Sequence, residues 1–359
     1  MNGGLWENTS GTTREFHLGW NRDGTLEMTG GTIDKYRWFV GNNATMNVSG
    51  GTINSSNPFR LGGGNNLSYT PVLNLSGTGE INLGGGAHFY GAGGGSNGVV
   101  NQSGGTFNMA GSFQAGNTAN SEFTYNLSGG ELKHTHHEFY LANALGVTAK
   151  INIAGGVLDT NASIVHQNNA NAVGEVTISS GRLIARNNVN FNADAAGASG
   201  TFKVSGSGAT EITIHGQLQV TNGNTLAFEL DNNGAAAIVC GNLADLRGGR
   251  IQINTRHGFY APVGTEFDLL HSDDVIDGVL IDHNTFLENI SPYFIFEIDI
   301  KDKGVAGSTL VARVSEISIS SCEDVFAAGL GNPADINQDC IVDLKDFAIL
   351  AAEWLNSDI

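Results

Sequence analysis

Basic residues are scarce in this chain: 17 Lys and Arg stand against 35 Asp and Glu, a formal charge of −18 over 359 residues. The acid excess lies mostly after residue 221. A phosphate backbone repels such a surface, so nucleic acid is excluded as an expected partner. No apolar run approaches 18 residues, which excludes a membrane-spanning helix. The opening Met1-Asn-Gly-Gly-Leu-Trp6 has neither a basic segment nor an apolar one of the secretory type. The chain starts almost inside a repeat, so a trimmed or mature form is expected. Cysteine is limited to three positions and proline to 5, whereas glycine reaches 51. The glycines recur with a period, which argues against disorder.

That period carries the fold. Apolar, polar, apolar, then a small residue and two glycines, recurs as Leu26–Asp34, Met46–Asn54, Val100–Asn108, Tyr125–Lys133 and Ile151–Asp159, with looser copies from Leu73, Val176 and Phe202. The small residue falls at Thr29, Ser49, Ser76, Ser103, Ser128, Ala154, Ser179 and Ser205, in steps of 20 to 27 residues. Self-similarity at this spacing means a solenoid. The local period is two, the mark of strands with one buried face, and paired glycines allow a sharp corner between them. A second short strand follows in each repeat, as in Trp38-Phe-Val, Phe59-Arg-Leu, Phe113-Gln-Ala and Phe139-Tyr-Leu. Leucine frameworks and a 3.6-residue period are both missing, which removes leucine-rich and helical repeats. The expected fold is therefore all-β: a parallel β-helix over 1–221, in eight or nine coils. Asn47, Asn74, Asn101, Asn126 and Asn152 share one outward slot, and Asn54, Asn82 and Asn108 another. Stacked amides of this kind hydrogen-bond along a column.

From Thr225 the strands lengthen, and 222–318 is expected as a β-rich, sandwich-like cap over the exposed last coil. Cys240 lies in an apolar strand and reads as a core thiol. Cys322 and Cys340 are the pair expected to form a disulfide, which fits an oxidising, extracytoplasmic location. The repeat followed by Gly223-Asn-Thr-Leu-Ala-Phe-Glu-Leu230 and Ala261-Pro-Val-Gly-Thr-Glu-Phe-Asp-Leu-Leu270 resembles autotransporter-like bacterial surface proteins of the non-catalytic passenger type.

The last segment, 319–359, is different in kind. Asp335-Ile-Asn-Gln-Asp-Cys-Ile-Val-Asp-Leu-Lys-Asp346 is a twelve-residue loop with oxygen-bearing side chains Asp335, Asn337, Asp339, Asp343 and Asp346 at positions 1, 3, 5, 9 and 12. Ile341, at position 7, offers its carbonyl. This is EF-hand spacing for Ca²⁺, with two departures: Cys340 where glycine is usual and Asp346 where glutamate is usual. An apolar helix follows, with Phe347, Leu350, Ala351, Trp354 and Leu355 on one face; metal binding is expected to order the loop and dock Phe347, Leu350 and Trp354 near Val325 and Phe326. Loop plus exiting helix resembles a dockerin repeat, and the ending resembles the single dockerin-like tails of planctomycete-type secreted proteins. The resemblance implies a calcium-dependent tail with a surface or cohesin-like partner. True dockerins carry two such repeats and this chain carries one.

A few side chains offer catalytic or binding alternatives. Glu131 and Asp159 are near-equivalent positions of adjacent coils. His134 and His136 would face one side of a strand as Zn²⁺ or Cu²⁺ ligands, or else sit in an outward polar turn. His166 falls in an inward slot. Tyr36, Trp38, Phe59, Tyr90 and Tyr140 either line a sugar-binding strip or stack in the core. The function expected is a secreted, non-enzymatic structural or adhesive surface or matrix protein with a calcium-dependent anchoring tail. The rivals are a carbohydrate-active β-helix enzyme (polysaccharide lyase or hydrolase) and a self-assembling filament subunit.

Overall fold

A computed structural model describes residues 2–7, 15–19, 23–35, 37–41, 43–62, 68–85, 87–92, 97–277 and 287–356. The Tyr36 position and the Leu355 side chain lie outside the described residues. The chain winds as a parallel β-solenoid of about nine turns followed by two short helices. Long strands such as Thr45–Ser55, Gly98–Met109, Glu122–His134, Thr148–Thr160 and Val173–Ala185 stack in parallel to form one sheet. Short strands, among them Arg37–Val40, Phe59–Leu61, Phe89–Gly91, Phe113–Ala115 and Phe139–Leu141, stack in a second sheet. The repeats are in register: Asn101 pairs with Asn126, Asn126 with Asn152, and Asn152 with Thr177.

The glycine pair does its work inside a strand rather than between two. Most long strands run straight through it, with a register shift at the bend. Gly105 and Gly130 hold φ of +67° and +75°, where a side chain is strained. A Cβ on Gly130 would lie 2.3 Å from the Gly105 carbonyl oxygen, and one on Gly105 would lie 2.2 Å from that of Gly79. Each coil's carbonyl occupies the space a methyl would need in the next coil. The motif is thus fixed by close stacking as well as by backbone angle.

Inward residues of the short strands build an aromatic column. Phe16, Trp38, Phe59, Phe89, Phe113 and Phe139 follow one another with ring centroids 4.5, 6.0, 5.9, 5.1 and 4.2 Å apart. Trp38 and Phe59 are therefore core residues, while Tyr90 and Tyr140, at the alternate positions, face outward. Outward amides form two directional combs. Asn74 donates to Asn47 at 2.7 Å, and Asn101, Asn126 and Asn152 each donate to the asparagine one coil below at 2.9 Å. Asn82 donates to Asn54 at 3.0 Å and Asn108 to Asn82 at 2.9 Å. Each comb satisfies its own polar groups along the stack, which explains why the slots keep asparagine.

The stack does not stop at residue 221. Thr225–Leu230 pairs in parallel with Ser199–Ser205, Arg250–Thr255 with Thr225–Leu230, and Leu287–Asn289 with Arg250–Thr255. The 222–318 block, expected as a separate cap, thus continues the solenoid because Leu226, Phe228, Ile251 and Ile253 keep the inward alternation and are buried. Only its end changes pattern: Thr309–Ile317 pairs antiparallel with both Glu266–Ser272 and Phe294–Lys301. Helix α1, Cys322–Ala327, follows, and the Gly258 N–H donates to the Ala328 carbonyl at 2.8 Å to fasten it to the solenoid end. Helix α2 spans Leu344–Asn356. Among the described residues no helix is long and apolar enough to cross a membrane.

Candidate metal-binding loop

The loop between the two helices is built by its own carboxylates. Asp346 Oδ1 accepts from the N–H groups of Ile336 at 2.7 Å and Asn337 at 3.0 Å, and its Oδ2 accepts from Asp343 at 2.9 Å. One side chain therefore clasps both ends of the loop. These N–H bonds, that from Asp343 foremost, hold its carboxyl below the usual carboxylate range. Asp335 accepts from the N–H groups of Asp339 at 3.1 Å and Cys340 at 2.7 Å. Asp335 and Asp346 are only 3% and 2% exposed. Asn337 Oδ1 accepts from the Asp339 N–H at 2.9 Å, and Asp339 Oδ1 from the Ile341 N–H at 3.0 Å. Asp343 Oδ1 accepts from the Lys345 N–H at 2.7 Å.

The five expected side chains, four carboxylates and one amide, lie along one loop, but among the described residues no three of the carboxylates draw their oxygens together; the group that does gather there is Asp335 with Cys322 and Cys340. An all-oxygen set of this charge suits a hard divalent cation, and each carboxylate keeps lone pairs beyond its N–H bonds. Lys345 is the local countercharge, with Nζ 3.5 Å from Asp339 and 3.7 Å from Asp343. The departure at position 6 is absorbed by the backbone: Cys340 itself adopts φ +66°, the left-handed turn that glycine usually supplies. Cys340 is bonded to Cys322, with Cα atoms 5.6 Å apart, so the bridge ties the loop to α1. Asp335 lies beside this pair, but both sulfurs are used in the bond and offer no thiolate to a metal.

Helix α2 carries its apolar stripe on the outside. Phe347, Leu350 and Trp354 are 66, 53 and 82% exposed; their docking on Val325 and Phe326 is an expectation for the calcium-bound tail. The apolar stripe is real but faces outward.

The histidine reading also changes. The strand Glu122–His134 ends at His134, so the alternation expected to carry His136 to the same side is broken. His134 turns into the core, where Nδ1 contacts Thr160 Oγ1 at 3.1 Å and Nε2 the Gly111 carbonyl at 2.8 Å, while His136 is exposed. His166 is buried as expected, stacked on Phe191, and neither ring nitrogen makes a well-formed hydrogen bond. Burial lowers both to about 4. Glu131 pairs in register with Val157, and Asp159 is taken by Arg186 at 2.7 and 2.8 Å, so the two carboxylates serve different ladders. Sequence reasoning missed Gln102, which fills an apolar slot. It accepts from the Tyr125 hydroxyl at 2.6 Å and donates to the carbonyls of Glu131 and Gly105, and nothing local in the sequence announces that network. Comparison with protein-family models and with curated proteins returns no match to this chain.

Proposed function

We propose that the protein is a secreted, non-enzymatic structural or adhesive component of a cell surface or extracellular matrix, with a rigid solenoid carrying a calcium-dependent anchoring or assembly tail. The observation that carries this reading is the Asp346 clasp, which joins the Asn337 and Asp343 ends of the loop that also carries Asp335 and Asp339. Bound there, Ca²⁺ would be held by those five side chains and the Ile341 carbonyl, neutralising four carboxylates that otherwise repel one another. The Cys322–Cys340 bond supports an oxidising location. The exposed stripe of Phe347, Leu350 and Trp354 is the surface the tail offers to a partner.

Coil carboxylates favour this reading over an enzyme. Asp159 pairs with Arg186, Glu211 with Arg182 and Glu175 with Lys150, as rungs of the stack. Hydrogen bonds from Arg182 lower Glu211, whereas a general acid needs its proton affinity raised.

Calorimetric titration of the full chain with CaCl₂ tests the proposal. One site with a submillimolar Kd is expected. Asp343→Ala removes a donor while leaving the Asp335 and Asp346 clasps intact, and should weaken binding about tenfold or more. No heat at millimolar Ca²⁺, or an unchanged affinity in the variant, contradicts it.

A further inference from the structure

The outward column of the second sheet holds a charge without an acidic partner. Its successive middle residues are His17, Phe39, Arg60, Tyr90, Gln114 and Tyr140, one per coil. Arg37 in this region is paired with Glu15 at 2.8 Å. Arg60 has no carboxylate within ion-pair distance among the described residues, although the chain as a whole is strongly acidic. Its guanidinium lies instead between two rings, 5.5 Å from the centroid of Phe39 and 5.2 Å from that of Tyr90, and its Nε is buried without a partner. Phe39 is 8% exposed and acts as the wall of this slot. Aromatic faces fix the guanidinium and weaken its hydration, leaving a preorganised cation on a flat surface.

A second donor sits two coils further on. The Gln114 Oε1 is taken by Asn117 and by Asn143 at 3.1 Å, which leaves its Nε2 amide as the outward group, with no partner among the described residues. His88, beside Tyr90, accepts the Ser112 N–H on Nδ1 at 3.2 Å, so its neutral tautomer carries the proton on Nε2. The surface thus presents donors at Arg60, His88 and Gln114 around the Tyr90 ring. Arg60 and Gln114 are two rungs apart, about 9.6 Å at the usual strand spacing.

We infer that this strip binds an extended, carboxylate-bearing polysaccharide, a β-1,4-linked polyuronate, laid along the solenoid axis. In a two-fold pyranose ribbon, alternate residues present their carboxylates on the same edge, and that repeat is two sugar rings long, close to two solenoid rungs. Arg60 would pair with one carboxylate, Gln114 would donate to the next on that edge, and Tyr90 would lie against the ring between them. Charge acts locally here, since the acid excess lies mostly after residue 221: Arg60 selects a carboxylate-bearing polymer, and a neutral glycan leaves it unanswered. The site is remote from the calcium loop in sequence and does not depend on it.

The test uses the full chain in EDTA, so that calcium cannot bridge ligand and tail, and a β-1,4-oligomannuronate of six residues as the probe. Calorimetry should give a submillimolar Kd, with Arg60→Ala weaker by about tenfold or more, Arg60→Lys intermediate and Tyr90→Ala weaker by about fivefold. Both side chains stand at outward positions of their strands, so unchanged melting curves should accompany these losses. The uncharged β-1,4-mannohexaose should not bind. Absence of oligomannuronate binding at millimolar concentration, equal binding of the neutral hexaose, or full affinity in Arg60→Ala overturns the inference.

Discussion

Gly130→Ala should cost the protein about 3 kcal/mol or more, although it adds a single methyl group. Two costs combine at this position. The left-handed backbone at φ +75° costs a Cβ-bearing residue about 1–2 kcal/mol. Overpacking adds about 1–3 kcal/mol, because the new Cβ meets the Gly105 oxygen at 2.3 Å and coils stacked in register cannot move apart singly. Two other glycines separate the costs. Gly223 holds φ +77° with nothing within 4 Å of its would-be Cβ, so Gly223→Ala should lose only about 1 kcal/mol. Gly85 has open space and no positive φ, and its alanine variant should be neutral. Urea denaturation midpoints of the three variants check the order. Equal loss at Gly130 and Gly223 would mean that the stack does not need its glycines for close approach.

Acid should unfold the solenoid earlier than its carboxylates require. His134 and His166 are buried neutral, and burial lowers each from 6.5 to about 4. The folded state therefore refuses protons that the unfolded chain accepts. Stability from this source is complete above pH 6.5 and is lost as pH falls towards 4, by about 3 kcal/mol for each histidine at about 1.4 kcal/mol per pH unit. At His134 the Gly111 hydrogen bond opposes the shift without cancelling it. At His166 the Ala172 backbone opposes it in the same way. Melting temperature against pH should fall steeply through this window, and His166→Leu should make the fall shallower by removing one of the two groups. A flat profile between pH 6.5 and 4.5 would place both rings in contact with solvent.

How far the sequence disclosed this molecule depended on whether a signal was local. The two-residue period around Ile151, Ile153 and Leu158 is local, and all three are buried as the alternation requires. The column from Phe16 to Phe139 was only half visible: the short strands announced inward apolar slots, but Trp38 and Phe59 read equally well as a sugar-binding strip. The continuation beyond 221 was hidden because the corner there uses different chemistry. Arg256 reaches across two coils to donate to the Ser205 carbonyl at 2.8 Å, and Asp231 accepts from Ser207 of the adjacent coil at 2.8 and 2.9 Å, so ionic side chains tie the coils in place of a glycine pair. His134 was misjudged because one residue decides where a strand ends, and periodicity does not fix ends. In the tail, the oxygen spacing from Asp335 to Asp346 was visible because it is local, and the structure adds the burial of Asp335 and Asp346, which the spacing did not announce. The outward orientation of Phe347 was not, since an apolar stripe tells which side of a helix is greasy and not what covers it.

Hydrogen exchange on the full chain, in excess Ca²⁺ and in EDTA, tests the central claim of a rigid solenoid carrying a calcium-ordered tail. The amides held by loop carboxylates, Ile336, Asn337, Asp339, Cys340, Ile341, Asp343 and Lys345, should exchange about tenfold or more slowly with Ca²⁺, while those of the coils from Gly98 to Val220 stay unchanged. Identical exchange of the tail in both conditions would contradict the account, as would calcium slowing the coils as much as the loop.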